Sequence, residues 1–223
     1  MDRVRPEYLK LAHGFPALAA SFGCAIPAAA QRELVDFTMA MECIDRELDA
    51  EANADLRRGL AEAIVAGTVD RPRELADHVA RLHVIAPPSL WDTAKRALAN
   101  SERMRRTRDP RAFIACVEEE GRLTVAMMLA IVGPFCSPPL ERFLRRVSEL
   151  ANLVDKLIDA RADFARGEMA LRPGVRVHAR LATAILENLP GALWSHPNWP
   201  RFAMWGLSYV RAMVAMPGRS VSA

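Results

Sequence analysis

The stretch LANLVDKLIDARADFARGEMALRPG, Leu150–Gly174, decides how this chain is read. It closes the longest helical pattern in the sequence, which begins at Ser137 and runs to Gly167. Asp155, Asp159 and Asp163 stand four residues apart within it. Residues at that spacing share one face of a helix, so the three carboxylates form a row. Like charges so placed repel, at about 0.2–0.5 kcal/mol per pair. Gly167 fits a helix end, which puts Asp159 and Asp163 in the last two turns, where acids also oppose the helix dipole. A bound cation would remove both penalties. The plainer reading is a solvated acidic edge paired with Lys156, Arg161 and Arg166.

A second row stands on an earlier helix. In ECIDRELDAE, Glu42–Glu51, the residues Asp45 and Asp49 are again four apart and again near a C-terminal end. A single Asp pair is cheap by chance, whereas a triple is expected only about 0.03 times in a chain of this composition. If the two rows face each other, their helices run in the same direction and form a carboxylate-walled mouth. Hard oxygen ligands suit Mg²⁺, which binds through one or two carboxylates together with substrate phosphate. Apolar helices beneath would supply a pocket for a hydrocarbon tail.

The rest of the chain reads as helix. Leu34, Phe37, Met41, Ile44 and Leu48 make one apolar stripe at three- and four-residue spacing. Gly67, Pro87-Pro88, Gly133-Pro134 and Pro173-Gly174 punctuate the pattern, and the first thirty residues read as short helical pieces broken by Pro and Gly. No stretch alternates as a strand does, and neither a phosphate loop nor a nucleophile elbow is present. The fold class is therefore all-α, in one domain spanning 1–223, with eight to ten helices.

Composition narrows the function classes. Hydrophobic residues make up 51% of the 223 and charged residues 26%, which is globular and not disordered. A formal charge of +3 is too small to argue for nucleic acid. Cys24, Cys43, Cys116 and Cys136 form no C-x-x-C pair, which disfavours structural zinc and suits a reduced, cytoplasmic chain. The segment GFPALAASFGCAIPAAAQ has some features of a secretion signal but is interrupted by Pro16, Gly23 and Pro27. No run reaches the ~18 apolar residues of a membrane span.

Taken together, the two aspartate rows resemble the paired aspartate-rich motifs of class I isoprenoid (terpenoid) synthases. The nearest likeness is to the squalene/phytoene synthase branch of trans-prenyltransferases. The stretch DKLIDARADFARGEMALRP lies over their second motif without a gap, with Asp159 and Asp163 at its aspartates, Gly167 at its glycine and Leu171 and Pro173 at its end. Ile158 and Ala162 stand where that motif usually has Arg and Glu, and Asp155 where Asn is common. Asp45 and Asp49 match the first motif. The resemblance implies a helical bundle around a central apolar cavity. It also implies Mg²⁺-assisted ionisation of an allylic prenyl diphosphate, with release of pyrophosphate and transfer, coupling or cyclisation of the cation. Asp45, Asp49, Asp155, Asp159 and Asp163 would hold metal.

Other residues have two readings each. Arg122, in EEEGRLTVAMM, could reach inward to a diphosphate, or pair with Glu118 one turn earlier. Arg103, Arg105, Arg106, Arg108 and Arg111 could close over a phosphate, or form a solvated turn. Trp194, Trp199, Phe202, Trp205 and Tyr209 could line a cation-stabilising cavity, or simply pack. His78 and His83, five apart, make a poor metal pair. The expected partner is a prenyl diphosphate, whose apolar tail or product could bring the chain to a membrane surface; a homodimer is compatible. Two rival classes are a non-enzymatic helical binding or assembly protein that keeps the fold, and a helical metal-dependent nucleotide pyrophosphohydrolase.

Overall fold

A computed structural model of the chain describes residues 6–51 and 53–214. Among the described residues there are α-helices, one short 3₁₀ turn and no strand, so the all-α expectation holds. In chain order the helices are α1 (Pro6–Ala20), α2 (Ala28–Ala50), α3 (Ala54–Ala66), α4 (Arg73–Ile85), α5 (Pro88–Arg106), α6 (Pro110–Val132), α7 (Pro138–Ala165), α8 (Val175–Trp194) and α9 (Trp199–Val214). None of them is long and apolar enough to cross a membrane.

The chain divides into two compact units. Among the described residues, unit 1 comprises those up to 98 together with 126–138, and unit 2 comprises 99–125 together with those from 139 on. In unit 1, α2 packs against α1 and α4. Leu34, Phe37, Ile44 and Leu48 are buried along α2, as their spacing predicts. Leu75, Val79 and Leu82, at the same helical period, bury the facing side of α4. His83 stacks on Trp91 with ring centroids 3.8 Å apart, and its Nε2 lies 3.1 Å from the Ile64 carbonyl oxygen. That histidine is a packing residue.

The expected break at Pro16 does not occur, because α1 runs through it as one helix; the break falls at 21–27, which holds Gly23 and Pro27. The Pro16 ring removes one N–H from the ladder. Buried Ala12, Phe15 and Ala19 recur at three- and four-residue spacing, and the packing of that face outweighs the lost bond. Pro88 opens α5, since a first-turn position needs no N–H donor. Gly133-Pro134 does end α6, in the 3₁₀ turn Gly133–Phe135.

Unit 2 is built on α6, α7 and α8. Phe113, Cys116 and Val117 of α6, Leu153 and Ala160 of α7, and Val177, Leu181 and Ala184 of α8 share one apolar cluster. The end of α7 has the form its glycine predicts. Gly167 sits at φ +76°, its N–H donates to the Phe164 carbonyl (3.1 Å), and the Glu168 N–H donates to that of Asp163 (2.8 Å). Those two bonds satisfy carbonyls that the last turn would otherwise leave open.

Candidate functional site

The polar centre of unit 2 starts from a close backbone approach. A Cβ on Gly121 would meet the Ser148 carbonyl oxygen at 2.6 Å and the Glu149 Cα at 2.9 Å. Only glycine allows α6 and α7 to come so near. Ser148 uses the contact, its Oγ donating to the Gly121 carbonyl at 2.7 Å. Everything charged in Glu118–Arg122 is therefore held against α7, or against the helix that follows it.

Each of those side chains has a partner. Asn188 of α8 donates to Glu118 at 3.4 Å, and Asn152 of α7 donates to Glu120 at 3.4 Å. Arg122 pairs with Glu119 through Nε at 2.9 Å and with Glu149 through Nη1 at 3.5 Å. The pairing anticipated for Arg122 was Glu118, four residues back; the observed partners lie three back and across the helix interface. Burial raises the pKa of Glu149, Arg122 lowers it, and Glu118 raises it further, with a net shift upward.

The aspartate row of α7 is not uniform. Asp155 and Asp159 are half-buried, whereas Asp163 is only 3% exposed. Both oxygens of Asp163 are engaged, Oδ2 by Lys156 Nζ at 2.8 Å and Oδ1 by Arg166 Nη2 at 2.7 Å. Lys156 is itself largely buried, its side chain 16% exposed. Burial alone would lower its pKa, but Glu120, then Asp163, and more weakly Asp155, reverse that and hold it well above the ordinary lysine range. Arg166 also pairs with Glu168, just beyond the helix. Two of the three cations that the sequence offered as neighbours thus take Asp163, in a buried setting rather than on a solvated edge. Arg161, the third, lines an open recess of ≈ 520 Å³ with His178 and the start of α8.

The other row belongs to unit 1. Asp45 and Asp49 are exposed on the last turns of α2, and Glu42 is buried at 6%. Arg46, between the two aspartates, pairs with Glu74 at 3.0 Å and with Glu47 at 3.4 Å. Among the described residues, no three His, Cys, Asp or Glu side chains gather closely enough to hold a metal ion.

Of the arginine run, Arg103 donates to Asn100 Oδ1 at 2.8 Å, and Arg106 pairs with Glu102. Phe202 packs edge-on against Phe143 and stacks on His196. Trp194 and Trp199 are exposed, and the side chains of Trp205 and Tyr209 lie outside the described residues. Sequence reasoning undervalued Lys156 and Glu118, each of which it gave to a neighbour. The available signal was Gly121, a residue without a side chain set directly after three glutamates on an apolar helix.

No family model matches the chain, and no curated protein or solved structure matches it either.

Proposed function

We propose that the chain is an isoprenoid synthase-like enzyme that binds an allylic prenyl diphosphate and releases pyrophosphate from it. The observation that carries this reading is the charged band between α6 and α7. Glu118, Glu119 and Glu120 of α6 and Glu149, Asp155 and Asp159 of α7 are all half-buried. Packing alone does not call for so many acids, since burying charge costs several kcal/mol per ion before partners repay it. Functional sites are where such a cost is retained. Asp45 and Asp49 add a second row of the same spacing in unit 1.

The donor set fits Mg²⁺ only in part. Asp155 and Asp159 offer hard oxygens of the right kind. Asp163 does not fit, because Lys156 and Arg166 hold both of its oxygens. No step is therefore derived through a metal. What the residues themselves supply is placement: Gly121 fixes the crossing, Arg122 steadies Glu119 and Glu149, and Lys156 braces the end of α7.

One observation favours a second reading, a helical binding protein that keeps the fold without the chemistry. The Lys156–Asp163–Arg166 cluster neutralises part of the row from within. The purified chain, incubated with geranyl, farnesyl and geranylgeranyl diphosphates and Mg²⁺, separates the two. The enzyme reading expects pyrophosphate release that disappears in Asp159→Ala and in Asp45→Ala. Absence of release from all three substrates, with no Mg²⁺-dependent binding of any, leaves the binding-protein reading.

A further inference from the structure

The end of unit 2 carries a feature that the diphosphate reading does not use. Trp194 on α8 is 73% exposed, and on α9 Trp199, Met204 and Leu207 are 47%, 64% and 45% exposed. At about 100° per residue, Trp199, Leu207 and Met204 fall within about 140° of arc on one side of α9. Phe202 lies outside that arc and faces inward, 5.0 Å from Phe143 and 5.2 Å from His196. The helix is thus fixed to its own unit by one face and presents large apolar side chains on another. A soluble chain rarely spends tryptophan, methionine and leucine on solvent in one place without a use for them.

The charge of this stretch of sequence is one-sided. From Asn188 to Ala223 the sequence contains no aspartate or glutamate, while Arg201, Arg211 and Arg219 fall in it. Arg201 is exposed on the first turn of α9, two residues from Trp199. Tryptophan prefers the headgroup level of a bilayer, and a cationic helix with an apolar face lies in that plane. A second copy of the chain is a poorer occupant. A two-fold contact through this face would set like-charged arginines near one another with no acid in the segment to offset them.

We propose that α9, with Trp194 at the end of α8, is a docking face for the surface of an anionic lipid bilayer, entered by Trp194, Trp199, Met204 and Leu207 and rimmed by Arg201. Binding is peripheral, combining shallow apolar insertion with attraction to the lipid headgroups. It does not depend on the reaction proposed above, and it stands if that reaction fails.

The test is co-sedimentation of the full chain with phosphatidylcholine vesicles, either neutral or carrying about 30% anionic phosphatidylglycerol. Helicity and thermal unfolding are followed in parallel. The chain is expected to pellet with anionic vesicles, to pellet far less with neutral ones, and to be released by high salt. Trp199→Ser/Leu207→Ser should weaken partition about tenfold or more on both surfaces. Arg201→Glu, at an exposed position, should weaken it on anionic vesicles alone. A chain that stays in the supernatant with both vesicles overturns the proposal. So does equal binding by all variants. Concentration-dependent dimerisation that is lost in Trp199→Ser/Leu207→Ser, without vesicle binding, assigns the face to a second copy instead.

Discussion

Replacing Lys156 with methionine isolates the role of the buried ammonium. The substitution keeps an unbranched side chain of similar reach and removes only the charge. Asp163, 3% exposed, then keeps Arg166 on Oδ1 but loses the donor on Oδ2. Glu120 and Asp155, whose negative charges raise the Lys156 pKa, lose that nearby positive charge. Breaking a buried pair from one side costs about 3–5 kcal/mol. Arg166 still satisfies one oxygen and the lysine side chain is 16% exposed, so the loss falls at or below the bottom of that range, at about 2–3 kcal/mol. The companion change Asp163→Asn removes the stranded charge. The Lys156→Met/Asp163→Asn double variant should therefore be less destabilised than the two single losses summed, by about 1–2 kcal/mol.

Urea unfolding followed by circular dichroism measures these values. Two compact units need not unfold together. Hydrogen exchange at the α6 and α7 amides therefore assigns the loss to unit 2. The pH dependence has a definite sign. The folded chain holds the Lys156 proton above the ordinary range. Its contribution is then complete at every pH below the unfolded lysine value, about 10.4, and declines only as pH rises through the higher folded value. The gap between wild type and Lys156→Met should accordingly stay level from about pH 6 to about pH 9, well below that window. A loss under about 1 kcal/mol for Lys156→Met, or strict additivity in the cycle, refutes the bracing role.

Gly121→Ala should cost about 1–3 kcal/mol, because the new Cβ meets Ser148 and Glu149 backbone atoms under 3.0 Å and α6 must part from α7; denaturant titration reads it, and a neutral result removes the tight crossing. Glu149→Gln should leave stability at pH 4 nearly unchanged and equal or exceed wild type at pH 7. A carboxyl whose folded pKa is raised favours folding below its unfolded value and loses that contribution as pH rises through the folded one; thermal unfolding at the two pH values tests it, and a marked loss at pH 7 alone contradicts it.

Much of this could be read without coordinates. Leu34, Phe37, Ile44 and Leu48 recur at the helical period, and burial along α2 follows them. Gly67 and Gly167 are positive-φ helix ends because only residues lacking a Cβ take that conformation freely. Pro16 misled because sequence rules weigh a missing N–H without knowing what face the helix buries. The fate of Lys156 was also out of reach. Neighbour rules on a helix look three or four residues away, and its ion partner lies seven away, about 10 Å along the axis. Side chains lean toward the helix N-terminus, so Asp163 tilts back toward the lysine. Glu120 then comes from a helix whose distance is set by Gly121; the glycine is legible in the sequence, but which helix it lets approach is a tertiary fact.

That geometry divides the aspartate row by role. Asp163 lies in the last turn, where the dipole opposes it, and there it has a lysine on one oxygen and an arginine on the other. Its penalty is met within unit 2, with no outside ion required. Asp159 and Asp155, one and two turns earlier, are half-buried. The diphosphate reading therefore rests on those two acids and on the α2 row, not on the whole triple. Asp163→Asn should be felt first in the stability of α7, while Asp159→Ala should be felt first in pyrophosphate release. A row that looked like three equal ligands is better understood as two candidate ligands and one brace.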